Sequence, residues 1–85
     1  MQRILLIYDI TEDRARAKIA DICLDYGLDR IQYSTFSGRL SRNMQESLML
    51  RIEQMLARRE SAGNIQLIPL NEADWKKRLE VNYVE

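Results

Sequence analysis

The chain contains no histidine, a single cysteine and no long apolar run. Without histidine it lacks the commonest general base and the commonest transition-metal ligand, so any metal has to be a hard cation on oxygen ligands. A lone Cys23 excludes an internal disulfide and a multi-cysteine zinc site. No run approaches the roughly 18 apolar residues of a membrane span and no leader pattern is visible. We therefore expect a cytoplasmic protein that does not enter a membrane.

An excess of charge of either sign is also missing, because 13 Lys and Arg residues balance 13 Asp and Glu residues. A zero net charge gives no overall signature of nucleic-acid binding, so such a site has to be a local cluster of cations. A chain of 85 residues is short for more than one core. We therefore expect residues 1–85 to form one small domain.

The most apolar stretch is the segment 4–10, whose four consecutive aliphatic residues predict a strand covered on both faces. A helix start with acidic residues follows at Thr11. This order places Tyr8 and Asp9 at the carboxyl end of a buried strand, an edge where ligands and catalytic groups gather in α/β layers. Asp9 is therefore the leading candidate for a functional residue.

Two stretches have apolar residues at the three- and four-residue spacing that predicts amphipathic helices. We expect the first helix to begin with Thr11 as its N-cap and to end at Gly27. We expect the second helix to begin at Ser41 and to stop at Gly63. Both stripes are interpreted as faces that pack on the core.

The remaining segments have mainly strand character. Residues 30–40 hold strand formers around a break near Ser34, which predicts two short strands. Residues 64–70 predict another strand, suited to a sheet edge by the proline near its end. Residues 71–78 predict a helical turn, and residues 79–83 alternate apolar and polar side chains as a half-buried strand does.

The element order predicts an α+β fold of the ferredoxin-like βαββαβ type, with an extra C-terminal strand. Two helices cover only one face of a four-stranded sheet, yet the strand at residues 4–10 is apolar on both faces. We therefore expect a homodimer that packs sheet against sheet. Residues 71–85 form a C-terminal extension, and its strand at 79–84 is expected to pair with the partner's edge.

These features together resemble a known family. The resemblance covers roughly residues 3–70 and is carried by Tyr8-Asp9-Ile10, Tyr26-Gly27, Arg30-Ile31-Gln32-Tyr33-Ser34-Thr35-Phe36-Ser37-Gly38 and Ile65-Gln66-Leu67-Ile68-Pro69-Leu70. In their spacing these segments are similar to the small ferredoxin-fold CRISPR-associated adaptation protein. That family is the companion of the CRISPR integrase and is also described as a metal-dependent endonuclease.

The resemblance implies a homodimer that takes part in spacer acquisition together with the CRISPR integrase. It implies that Asp9 of each subunit contributes to a shared divalent ion, Mg²⁺, and that RNA or duplex DNA is the substrate. Two carboxylates, waters and a phosphate oxygen can complete the octahedron that Mg²⁺ requires. The family associates five further positions with substrate or with the dimer edge, namely Tyr8, Arg14, Arg16, Arg30 and Phe36.

The residues by themselves leave simpler interpretations open for the acidic and aromatic candidates. Asp9 precedes a helix and is equally suited to helping to cap it. Tyr8 and Phe36 are of the type found more often in cores and interfaces than in base stacking. The role of each as a site residue is therefore a hypothesis.

The cationic candidates have the same two interpretations. Arg14 and Arg16 lie on the polar side of the first predicted helix, which is commonly a solvated face, but they are also close enough to Asp9 to contact a phosphate. Arg30 is suited to an edge charge that discourages aggregation of sheets. In a two-fold dimer such cations are doubled and can follow a duplex backbone even at zero net charge.

Four functions are consistent with the pattern. The first is a Mg²⁺-dependent endonuclease with Asp9 as ligand, and the second is a non-catalytic DNA-binding scaffold that bridges copies of the integrase. The neutral charge favours the scaffold working inside a larger complex. A ribonuclease toxin of related fold and a ferredoxin-like module that binds a small ligand are the others. The last predicts a glycine-rich loop or a polar pocket, and the sequence contains neither.

Overall fold

A computed structural model describes residues 1–84 as four strands and three helices. In chain order these are β1 (Gln2–Ile10), α1 (Asp13–Asp25), β2 (Asp29–Gln32), β3 (Thr35–Leu40), α2 (Arg42–Leu56), β4 (Gly63–Leu70) and α3 (Glu72–Lys76). In this part of the chain, no helix is long and apolar enough to cross a membrane.

The four strands form one antiparallel sheet in the order β2-β3-β1-β4. Strand β1 is central and pairs with β3 on one side and with β4 over eight residue pairs on the other. This order and the βαββαβ succession of elements confirm the predicted α+β, ferredoxin-like fold. The predicted break at Ser34 is also confirmed, since β2 and β3 meet at a turn there.

Alternate residues of β1 build the core on the face that α1 and α2 cover. Ile4, Leu6, Tyr8 and Ile10 are all at most 4% exposed, and they pack with the apolar stripes of the two helices. Burial of a large aliphatic side chain contributes about 1.5–3 kcal/mol, so this row is a main source of stability. The predicted helix stripes are therefore confirmed as core faces, except that Met44 at the start of the α2 stripe is exposed and Gln45 is buried in its place.

The other face of the sheet carries the residues in between, and we call it the open face. On β1 it consists of Arg3, Leu5, Ile7 and Asp9, and directly opposite residues of β4 share it, namely Leu70, Ile68, Gln66 and Asn64. Ile7 is 39% exposed although it is a large aliphatic residue in a central strand. The prediction that β1 is apolar on both faces is confirmed, but α1 and α2 cover only one of them.

The starts of the two long helices differ from each other in how they are capped. Ser41 caps α2 as predicted, because its Oγ accepts a hydrogen bond from the Met44 amide at 3.2 Å. The prediction for Thr11 was wrong, since α1 begins after Glu12 without a side-chain cap. The Thr11 hydroxyl instead donates to the Ala62 carbonyl at 3.2 Å, which ties the end of β1 to the start of β4.

The two glycines that were expected to end helices have different roles. Gly27 has φ +78° and follows α1, as expected for a left-handed C-cap. Gly63 does not end α2, which stops at Leu56, but begins β4 with φ +151°. A Cβ at Gly63 would overlap the carbonyl oxygen of Asp9, so the close approach of β4 to β1 requires glycine there.

The C-terminal extension forms the predicted helical turn and then leaves the body of the chain. Helix α3 is capped by Asn71, whose Oδ1 accepts from the Ala73 amide at 2.8 Å. Beyond it, Leu79, Val81 and Tyr83 are all more than 80% exposed and lie in no strand. A strand needs a neighbouring edge for its hydrogen bonds, so pairing of residues 79–84 with a second copy stays a prediction.

Candidate functional site

Asp9 lies at the end of β1 on the open face, and its side chain is exposed. Its neighbour across the sheet is Asn64 at the start of β4, and Gln66 is the next residue of β4 on the same face. Together with Ile7 and Tyr8 these residues line a shallow cavity of about 300 Å³. The position therefore combines one carboxylate with two side-chain amides.

The donors around Asp9 suit a hard cation in type but not in number. Carboxylate and amide oxygens are ligands of Mg²⁺, and the Asn64 Oδ1 accepts a hydrogen bond from the Gln66 Nε2 at 2.9 Å. Within residues 1–84, however, no group of three or more acidic, histidine or cysteine side chains converges anywhere. In a single copy of the chain Asp9 therefore has too few acidic neighbours to form a cation site, and its role as a metal ligand stays a prediction.

Tyr8 lies on the opposite face of the sheet from Asp9, as the alternation of a strand requires. Tyr8 is 2% exposed and Phe36 is fully buried, with the two ring centroids 6.3 Å apart at an interplanar angle of 17°. In a single chain both rings are core groups, which favours the structural interpretation weighed above. Their role at a substrate edge stays a prediction.

The hydroxyl of Tyr8 is buried and has no hydrogen-bond partner in the described part of the chain. Burial raises the pKa of this phenol, and the nearby Arg30 guanidinium opposes part of that shift. The phenol therefore stays neutral through the physiological range. Nothing in the sequence pattern indicated an unpaired hydroxyl at this position.

Arg30 is held at the turn between β2 and β3. Its Nε and Nη2 donate to the Tyr33 carbonyl at 3.1 and 2.6 Å, and its guanidinium lies 5.3 Å from the ring centroids of both Tyr33 and Phe36. The side chain is nevertheless exposed, so its remaining donors face solvent. It lies on the side of the sheet that carries Phe36, away from Asp9.

The two arginines of α1 differ in what they contact. The Arg16 Nη1 donates to the carbonyls of Ile10 and Thr11 at 2.7 and 3.1 Å, and the same side chain pairs with Asp13. Arg16 thereby closes the connection between β1 and α1. Arg14 is exposed and has no ion pair in the described residues, so it is the more available cation near the end of β1.

An ionic cluster at the other end of β1 was not indicated by any sequence pattern. Glu72 of α3 accepts hydrogen bonds from Arg3 of β1 and Arg39 of β3, at 3.3 and 2.9 Å for the shortest contacts. The two arginines, through these bonds and their charge, lower the pKa of Glu72 to about 2. These residues are 69 and 33 positions apart in sequence, so no local spacing could have predicted the cluster.

Comparison with known proteins gives a consistent result. The family model described as CRISPR associated protein Cas2 matches residues 1–78. A protein of Chloroflexus aurantiacus named CRISPR-associated endoribonuclease Cas2 2 is 47% identical over 74 residues, which cover 87% of this chain and 85% of that protein. A Thermoproteus tenax protein named CRISPR-associated endonuclease Cas1/endonuclease Cas2 fusion is 41% identical over 64 residues, or 75% of this chain and 23% of the fusion.

Among solved structures, a chain of a partial Cas6-RT-Cas1--Cas2 complex superposes with a TM-score of 0.80. The match covers 95% of this chain and 85% of that one at 24% sequence identity. At this identity the likeness concerns the fold, and it agrees with the ferredoxin-like topology described above.

Proposed function

We propose a function from the premise that this chain belongs to the CRISPR associated protein Cas2 family. In this proposal the chain takes part in CRISPR adaptation as a homodimer and works beside the CRISPR integrase. The observation that carries it is the incomplete oxygen site at Asp9 on an open sheet face, in a chain whose family match spans residues 1–78.

The integrase as partner is supported by a relative and a structural match that each occur together with Cas1. One relative is named as a fusion of Cas1 with Cas2, and the structural match with the TM-score of 0.80 comes from a complex that contains Cas1 and Cas2. The same family membership favours CRISPR adaptation over the ribonuclease toxin of related fold. The described residues contain no glycine-rich loop of the kind that the small-ligand module predicts.

The homodimer is supported by the composition of the open face. Leu5, Ile7 and Ile68 form an apolar row along β1 and β4, and Ile7 is 39% exposed in the single chain. Exposed aliphatic side chains in a central strand are typical of a surface that another molecule covers. A second copy presents an identical row, which makes the contact self-complementary.

In this dimer the two Asp9 side chains would supply the carboxylates for Mg²⁺, with the side-chain oxygen of Asn64 as a neighbouring ligand. A Mg²⁺ ion held by these residues would supply positive charge to stabilise a phosphodiester under attack and would make water more acidic. The chain's own part is to fix Asp9 by the close contact of its backbone with Gly63. Exposed cations such as Arg14 would bind substrate phosphates, and Arg30 would do so at the β2–β3 turn.

A scaffold without chemistry is the second candidate, and two observations favour it. Each chain brings one carboxylate to the site, and the formal net charge of zero gives little unaided affinity for nucleic acid. In this version Asp9 and the cations hold duplex DNA between copies of the integrase. Cleavage distinguishes the two candidates.

The test is a cleavage assay with labelled single-stranded RNA and duplex DNA, with and without Mg²⁺. Asp9→Asn keeps the shape of the side chain and removes its charge, and we expect it to lower Mg²⁺-dependent cleavage roughly 100-fold or more. Asp21→Asn is the matched control, because Asp21 is an exposed aspartate of α1 on the other side of the sheet.

Cleavage that persists in Asp9→Asn would exclude Asp9 as the ligand. The absence of cleavage by the wild-type dimer, together with binding to the integrase, would decide for the scaffold.

A further inference from the structure

Helix α3 folds back over one end of the open face and is fastened there by charged and aromatic contacts. Glu72 accepts from the Nε and Nη2 of Arg3 at 3.3 and 3.4 Å and from the Nη2 of Arg39 at 2.9 Å. The Arg3 guanidinium also lies 4.8 Å from the centroid of the Trp75 ring. We call these four residues the α3 latch.

The latch and Asp9 lie at opposite ends of the same strand face. Arg3 and Asp9 are both on the open face of β1, six positions apart, which corresponds to about 20 Å at the usual rise of a strand. The side chain of Arg3 is only 17% exposed under α3, whereas Asp9 is exposed. The latch therefore divides the face into a covered end and a free end.

Without Glu72, Arg3 and Arg39 would destabilise the sheet and would compete for the carboxylate of a second copy. Arg3 and Arg39 are directly opposite each other on neighbouring strands, and like charges in that arrangement repel. On a face that meets a second copy, two uncompensated guanidiniums are also the strongest available partners for the other copy's Asp9. Such an ion pair would shift the two sheets relative to each other and would leave the Asp9 carboxylate unavailable to a cation.

We propose that the α3 latch determines the register of the dimer: it covers Arg3 and Arg39, confines the second copy to the Ile7–Asp9 end of the open face, and keeps both Asp9 carboxylates free for the cation. This inference rests on the proposed function, since it assumes that two copies meet on this face. Glu72 and Trp75 are thus positioning residues, which act on the site through the packing of the subunits.

The test measures the register directly by disulfide formation. Gln66→Cys places a thiol beside the Asp9 end of the face, and the native Cys23 is fully buried, so it does not compete. In this background we expect efficient disulfide-linked dimer under mild oxidation. Adding Glu72→Gln is expected to lower the cross-linked fraction roughly threefold. The matched control is Glu80→Gln, which neutralises an exposed acid just beyond α3.

A variant in which all three charged residues of the latch are replaced by glutamine distinguishes two roles of α3. One is to set the register of the dimer, and the other is only to anchor α3 to the sheet. Adding Arg3→Gln and Arg39→Gln to the Glu72→Gln variant removes the competing partners of Asp9 but restores none of the lost anchors. We expect this variant to regain the cross-linked fraction. In chains that keep Gln66, we also expect Glu72→Gln to weaken Mn²⁺ binding, measured by titration calorimetry with the metal alone, and the two arginine substitutions to restore it. If the fraction stays low, α3 acts only as an anchor and the inference is overturned.

The other outcomes are also distinct. A parent Gln66→Cys that forms no cross-link places the dimer contact elsewhere and overturns the proposed shared Asp9 site together with this inference. A parent that cross-links equally well with and without Glu72→Gln overturns the latch alone. Circular dichroism checks folding, and Trp75→Ala is the second variant; unfolding of both would make α3 part of the core, which also contradicts the proposal.

Discussion

The two ends of strand β1 on the open face are built in contrasting ways. At the Arg3 end, Glu72 of α3 pairs with one arginine of β1 and one of β3 within the same chain, and the Trp75 ring packs against the Arg3 guanidinium. At the Asp9 end, a carboxylate stays exposed beside two amides, and only the backbone is fixed. The comparison shows that polar groups paired within the chain leave no free partners for another molecule. Polar groups without such partners, as at Asp9, stay available to a ligand or a second copy.

The largest effect is expected from breaking the backbone contact at the Asp9 end. Gly63→Val places side-chain atoms against the Asp9 carbonyl and the Ile10 side chain, in a conformation that side chains rarely adopt. We expect a loss of about 3–5 kcal/mol in the free energy of unfolding, measured by urea denaturation.

Gly27→Ala is the control for that experiment, because Gly27 also has positive φ but a Cβ there meets nothing within 4 Å. A loss near 1 kcal/mol is expected for it from the backbone conformation alone. Equal losses for both glycines would show that contact with Asp9 is not what requires Gly63.

An intermediate effect is expected from Arg16, which holds the connection after Asp9. Arg16→Gln removes the donor to the Ile10 and Thr11 carbonyls, and we expect the free energy of unfolding to fall by about 1–2 kcal/mol. Arg14→Gln, two residues away on the same helix, is expected to change stability little because Arg14 is exposed.

For nucleic-acid binding we expect the reverse order, with a larger effect from Arg14 than from Arg16. If Arg14 contacts phosphate, its substitution weakens binding of duplex DNA and lowers the salt dependence of that binding, measured by a filter-binding titration. If Arg16→Gln weakened DNA binding strongly but left the free energy of unfolding unchanged, the structural role given to Arg16 here would be contradicted.

The smallest effect is expected from titration of the Arg3 end. The pKa of Glu72 is lowered from its ordinary value of 4.5 to about 2 by Arg39 and Arg3, so the latch is fully charged above pH 4.5 and is lost as the pH falls towards 2. The fluorescence of Trp75, the single tryptophan, should therefore stay constant from pH 8 to about pH 4 and shift to the red as the pH falls towards 2.

The charged groups in contact with Glu72 or Trp75 are Arg3 on β1, Arg39 on β3 and Arg78 beyond α3, and Asp74 is the other acidic residue in the first turn of α3. Asp74→Asn is therefore the control and should keep the acid transition. Glu72→Gln should show the red-shifted emission already at neutral pH, and a transition that survives in this variant would have to be assigned to another group.

The fold could be predicted largely from local pattern. Four features depend on neighbours within a few residues: the unbroken aliphatic run of β1, the apolar stripes of α1 and α2, the Ser41 cap and the left-handed Gly27. The structure bears them out, apart from the exposed Met44 in the α2 stripe. The Thr11 cap and the role of Gly63 were wrong for one reason. Both residues are used by the contact between β1 and the segment entering β4, about 50 positions away.

By itself, the sequence determined the class of the protein and its helices and strands, because hydrophobic periodicity and capping are local properties. It also placed Asp9 at the end of a strand, while the ligand role of Asp9 came only from the resemblance to a family. The tertiary structure alone decided which side chains share a face and which charges meet. It placed Glu72 between Arg3 and Arg39, turned Tyr8 into the core and left Asp9 exposed. The physical reason is that strand pairing brings together residues whose distance along the chain carries no signal, and only the register of the sheet fixes their contacts.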